Sequence, residues 1–208
     1  MKRKVTSITI VLLCLFLNLS AQTESSETSG KKKKKEIGFL VGLQRSDLDY
    51  NAISQTNVSE ESKTSLGGAF FINWRLIGHF ITLRTELGYY PKGGTYKVGN
   101  TVEETNLAYL AAPAALLQVK MGFLKVYAGP QWGLLLTAKS KTGNTETDVK
   151  AAFKTTELSA VLGAEINLPL RLMAGVRYNF GISNISEIPT VDTKTGLYML
   201  YVGLRLHK

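Results

Sequence analysis

Two adjoining runs at residues 157–181 constrain the fold more than any other part of the chain, because each alternates between one apolar and one polar side. In the first, Leu158, Ala160, Leu162, Ala164, Ile166 and Leu168 share one parity, opposed by Glu157, Ser159, Val161, Gly163, Glu165 and Asn167. In the second, Leu170, Leu172, Ala174, Val176, Tyr178 and Phe180 oppose Arg171, Met173, Gly175, Arg177, Asn179 and Gly181, with Pro169 at the turn. Successive side chains of a strand point to opposite faces, so the pattern predicts a β-hairpin with one greasy face. A soluble sheet packed on a core would alternate in the same way, so the period alone does not identify the solvent.

The rest of the chain repeats the pattern. Apolar residues share a parity at Ile37, Phe39, Val41 and Leu43, at Leu66, Phe70, Ile72 and Trp74, and at Ile81, Leu83, Leu87 and Tyr89. They do so again at Leu124, Val126, Trp132 and Leu134, and at Leu200, Val202, Leu204 and Leu206. A further strand at residues 107–120 has no readable facing, since Ala111, Ala112, Ala114 and Ala115 carry no sidedness and Pro113 donates no ladder hydrogen bond. The connections alternate between polar stretches (residues 47–63, 91–105, 137–154 and 184–195) and very short turns (77–79, 121–122 and 169). A sandwich has no reason to segregate loop lengths, whereas an outer-membrane barrel has short periplasmic turns, long extracellular loops and an even strand number. Only closure satisfies every backbone group in hydrocarbon. The sequence therefore predicts an all-β fold, an eight-stranded antiparallel up-and-down transmembrane β-barrel over residues 37–208.

What precedes the strands agrees with export. Lys2, Arg3 and Lys4 lead an apolar run that ends in Ser20, Ala21 and Gln22, which predicts a signal peptide over residues 1–21 with cleavage after Ala21. The run is short for a spanning helix, and no other stretch approaches the ~20 apolar residues such a helix needs. Cys14, the only cysteine, lies inside the leader and is followed by Leu15, Phe16 and Leu17, which argues against lipidation and leaves no thiol in the mature chain. Residues 22–36 read as a polar and basic linker. Its Lys31, Lys32, Lys33, Lys34 and Lys35 could meet an anionic surface, and in an exported chain outer-membrane lipid is a better partner than nucleic acid.

On the inward parity stand Arg84, Glu86, Lys125, Glu157, Glu165, Arg171, Arg177 and Arg205, an expected interior ion-pair network for a barrel narrow enough to be filled by side chains. Trp74, Tyr89, Trp132, Tyr178, Phe180 and Tyr198 have the outward parity of interfacial girdles. Catalytic candidates are poor, because His79 and His207 fall at a short turn and a strand end with no nucleophile or base at a suggestive spacing. Nothing points to a metal or a cofactor: the mature chain has two histidines and no cysteine, and no phosphate-cradling glycine motif opens a helix.

Leu87-Gly88-Tyr89-Tyr90-Pro91-Lys92-Gly93-Gly94, then Tyr109-Leu110 with Pro113 three residues on, Val126-Tyr127-Ala128-Gly129-Pro130, Leu162-Gly163-Ala164 and Arg177-Tyr178-Asn179-Phe180-Gly181 follow one another in order. This series resembles the PorT-type outer-membrane β-barrel proteins of Bacteroidota, from about Ile37 to the C-terminus. The resemblance implies an eight-stranded barrel and an association with gliding and type IX secretion. Ala111 departs from the carboxylate common there, as does the non-aromatic end at His207-Lys208.

Three function classes remain: a structural or assembly-linked barrel, a narrow channel, and an outer-membrane lipid-modifying enzyme. The inventory points to the first, a non-enzymatic scaffold that meets envelope or secretion proteins through its loops, expected as a monomer.

Overall fold

The computed structural model describes residues 35–50, 58–78, 80–98, 101–189 and 191–207. In chain order it has β1 (Glu36–Tyr50), β2 (Val58–Ile77), β3 (Ile81–Val98), β4 (Thr101–Met121), β5 (Leu124–Thr142), β6 (Thr145–Asp148), β7 (Thr156–Asn167), β8 (Leu172–Gly181) and β9 (Thr193–His207). Each strand pairs antiparallel with its neighbour, β9 returns to β1, and β4–β5 completes a ring of eight. The short β6 folds back on the end of β5 and lies outside the ring.

The outward parity is the apolar one. Phe39, Val41 and Leu43 on β1, Leu162 on β7, Val176 on β8, and Leu200 and Val202 on β9 are each about half exposed on the outer face. Tyr89, Trp132, Tyr178, Phe180 and Tyr198 border this band on one side, with Tyr178 stacked between Tyr198 at 4.3 Å and Phe180 at 5.9 Å. Trp74 lies towards the opposite edge, near the short turns that carry exposed Phe80 and Phe123. These turns reverse tightly through Gly78 and Gly122, whose positive φ values of 52° and 63° suit glycine.

The facing left open on β4 has a local cause. Thr105, Leu107, Tyr109 and Ala111 are buried, and then Ala114, Leu116 and Gln118 are, so the inward parity changes between the two halves. The register shifts at that point against both neighbours, where Ala111 pairs with Gly88 and Ala114 with Glu86. The bulge takes up Ala112 and Pro113, which explains how proline is accommodated in a closed ring.

The described parts of the polar stretches 47–63, 91–105 and 137–154 are mostly strand, not loop. β3 runs to Val98 and β4 begins at Thr101, so only residues 99–100 lie between them. β2 to β5 are 18–21 residues long, whereas about 9–11 tilted residues cross a bilayer. The excess forms a collar beyond the apolar band. Polarity marks where the hydrocarbon ends, and the Thr, Tyr and Val residues of these stretches keep the chain extended past that limit.

Within the collar the faces exchange character. On β1 the outward Arg45, Asp47 and Asp49 follow Leu43, while Leu48 is buried. Leu48, Leu107, Tyr109, Leu135, Ala138 and Ile185 make an apolar cluster, with Val149 and Phe153 packed against it. Ile185 belongs to the 182–192 connection, which is stitched down by Lys154 N–H to Ile185 O at 2.7 Å and Glu187 N–H to Ala152 O at 2.9 Å.

This geometry sets a test of the membrane boundary. Val202→Arg, inside the apolar band, should cost about 2–4 kcal/mol in a urea refolding titration, against about 0–1 kcal/mol for Thr64→Arg on the outer face of the collar.

Candidate functional site

The interior of the ring holds three ion-pair centres. In the first, Glu165 of β7 receives both arms of the Arg84 guanidinium, at 2.8 and 2.9 Å. The same carboxylate accepts from Lys125 Nζ at 3.1 Å, Gln118 Nε2 at 3.1 Å and Tyr201 OH at 3.0 Å, and Tyr201 OH lies 3.0 Å from Tyr127 OH. Arg84 uses its Nε on Asn73 Oδ1 at 2.9 Å and lies against the rings of Phe71 and Tyr127. Such a bidentate pair is directional as well as strong, and it joins β3 to β7 across the lumen.

In the second centre, Arg177 of β8 donates at 2.8 Å to Glu86 Oε2 and at 2.8 Å to Tyr90 OH, and at 3.1 Å each to Gln131 Oε1 and Asn179 Oδ1. In the third, Lys92 Nζ sits 2.7 and 2.8 Å from the two oxygens of Glu157 and 3.0 Å from Thr195 Oγ1. Thr195 in turn donates to Glu157. Lys92 also lies over the Tyr109 ring, as Arg177 does over Tyr90. Each centre thus follows one recipe: a buried cation, a carboxylate and an aromatic face.

Of the eight expected interior charges, Arg84, Glu86, Lys125, Glu157, Glu165 and Arg177 are buried there. Arg171 is not: it lies exposed in the turn after β7, where Leu170 and Arg171 have φ values of 55° and 65°. Strand parity does not extend through a left-handed turn, so the alternation that placed it inward fails. Arg205 keeps the inward parity but sits at the rim, donating to the carbonyls of Leu168, Arg171 and Leu172 and facing Glu36 at 4.0 Å. Lys92 was missed because the stretch from residue 91 reads as a loop. Carrying the inward parity of Arg84, Glu86, Gly88 and Tyr90 two residues further would have found it.

His79 and Lys31 to Lys34 lie outside the described residues. The exposed Lys35 places its ammonium 4.3 Å over the Trp74 ring. Buried Lys92, Glu157 and Thr195 bond mutually, so the Thr195 hydroxyl is engaged within the ion-pair centre.

Outside the band, on the collar, the hydrogen bond from Lys63 holds the Glu104 carboxyl below its usual range. A carboxylate lowered on folding stabilises above its unfolded pKa, near 4.5, and that contribution is lost as pH falls through the lower folded value. Lys63→Gln should flatten the acid limb of a stability–pH profile. Inside the ring, Glu165→Gln should cost about 3–5 kcal/mol by leaving Arg84 incompletely compensated, and Arg84→Met with Glu165→Leu should recover most of the loss in a double-mutant refolding cycle.

The fold has known counterparts. The crystal structure of Neisserial surface protein A superposes with a TM-score of 0.51 at 15% identity, covering 82% of this chain and 97% of that one. The Yersinia pestis attachment invasion locus protein Ail, solved with the heparin analogue sucrose octasulfate, gives 0.49 at 13% identity, covering 83% and 99%. OprG of Pseudomonas aeruginosa gives 0.44 at 14%, covering 85% and 98%. No curated protein matches the sequence significantly. The family model described as outer membrane protein beta-barrel domain matches residues 20–187, and with the closed ring and its apolar outer band this makes the chain an outer-membrane β-barrel protein that belongs to that family.

Proposed function

We propose that the protein is a non-enzymatic scaffold whose barrel anchors a tall collar outside the cell, where it meets envelope or secretion proteins. The observation that carries this reading is the division of labour along the strands. The lumen is occupied by three ion-pair centres and an apolar cluster above them, while the collar adds β6, the 182–192 connection and an exposed outer face. A filled interior does no transport, and rigid strands that outrun the membrane are an economical way to display loops. By the rule for such barrels the short turns face the periplasm and the collar faces outward. The chain reaches this place through its leader, residues 1–21, and its likeness to PorT-type barrels of Bacteroidota favours a partner in secretion or envelope assembly, an argument by analogy.

The test has two arms. The wild-type protein in planar bilayers should give no steady conductance, and its folded form should resist SDS until heated. Replacing residues 139–148 with a tight turn should leave that heat shift intact while removing envelope partners that co-purify with the full chain. Passage of small solutes into liposomes, with no co-purifying partner, would replace the scaffold with a channel.

A further inference from the structure

Independently of the scaffold reading, we propose that the barrel mouth on the short-turn side binds a phosphate-class oxyanion. A cavity of about 110 Å³ opens there, lined among others by Arg75 of β2, Lys120 of β4, Lys125 of β5, Arg205 of β9, Glu36 of β1 and Asn167 of β7. Four cations and one carboxylate therefore line it, and since Lys125 also donates to Glu165 at 3.1 Å, three of the cations are free of the lumen's own carboxylates. Deeper in the lumen Arg84, Lys92 and Arg177 are matched by Glu86, Glu157 and Glu165, with Lys125 reaching Glu165 from the mouth. The positive surplus of the inner surface is thus concentrated at this mouth.

Glu36 does not quench it. Its Oε1 accepts from Asn73 Nδ2 at 2.8 Å, while Lys125 Nζ stands 3.9 Å from Oε1 and Arg205 Nη1 stands 4.0 Å from Oε2. Those separations are attractive but too long for hydrogen bonds. Arg75 and Lys120 have no ion-pair partner among the described residues. A second observation points the same way. Asn167 Oδ1 is buried without a hydrogen-bond partner, and the same amide turned end for end offers N–H donors in place of an unmet acceptor. Donors converging from four strands suit a tetrahedral anion, which presents oxygens in several directions, better than a planar carboxylate. Guanidinium and ammonium groups are the usual hosts for such an ion.

The experiment uses the full chain refolded in a zwitterionic detergent and titrated calorimetrically with inorganic phosphate against a chloride blank of equal ionic strength. Saturable binding at one site per chain is expected. Arg75→Gln with Lys120→Gln should weaken it at least tenfold, and because neither side chain has an ion-pair partner among the described residues the heat shift on SDS gels should not change. Glu36→Gln should tighten binding several-fold by removing the competing carboxylate. A parallel series replaces phosphate with phosphatidylglycerol doped into the micelles. Competition between the two probes identifies a lipid headgroup as one source of the anion, and binding of phosphate alone identifies a free phosphate or phosphoester. No saturable binding of either probe, or binding that ignores the double variant or the Glu36 substitution, overturns the proposal.

Discussion

An unpaired amide or carbonyl in hydrocarbon has no water to turn to, and this constraint orders everything else in the barrel. It makes the β4–β5 and β9–β1 ladders obligatory, because either one left open would expose a strand edge to lipid. It also limits where irregularity can be placed. The bulge that houses Ala112 and Pro113 on β4 occurs where the register against both neighbours slips together, so the break is shared across three strands. Closure at eight strands then fixes a lumen narrow enough for Arg84, Lys92 and Arg177 to reach carboxylates on distant strands.

That narrowness explains the three ion-pair centres. Removing several charges from water is costly unless each is paired and its remaining donors are used. Arg84 and Glu165 come from positions 81 residues apart in the chain, yet the ring sets them opposite one another, and Asn73, Gln118 and Tyr201 take up the remaining bonds. Glycine makes the space. A Cβ at Gly163 would lie 2.3 Å from the Tyr127 ring, and one at Gly175 would lie 2.5 Å from the Tyr201 ring. The small residues that alternate with charges along the inward face are thus the vacancies into which the two tyrosines fit.

How much of this was legible follows from the same physics. A strand side chain knows only two directions, so where the ladder is regular parity alone puts Arg84, Glu86, Lys125, Glu157, Glu165 and Arg177 on the inner face, where they are buried. Parity failed where regularity does: at the left-handed turn that turns Arg171 out to solvent, and at the β4 bulge. The larger error came from equating polarity with loop. In water the outer face of a sheet is polar and the inner one apolar, so a strand leaving the membrane exchanges the character of its faces without changing direction. Leu43 gives way to Arg45 outside while Gln44 gives way to Leu48 inside. Read as a hydrophobic pattern the strand stops, but read as a parity it continues, and Lys92 lies in the portion that was cut off.

The ladder of satisfied groups also shows where the molecule can still do something. At mid-height the buried polar atoms are almost all engaged. Two inward side chains, Gln44 and Glu86, each keep an unbonded Oε1, and that of Glu86 stands 3.8 Å from Arg84 Nη1. To pair fully with Glu86, Arg84 would have to leave Glu165, and the gain on one carboxylate would be offset by the loss on the other. The centre is therefore stiff, held by bonds that compete for the same cations. The other unmet oxygens lie towards the ends, at Asn167 by the short-turn mouth and at Tyr109, Asp192 and Thr193 by the collar. Those two rims are where side chains from several strands converge within reach of water.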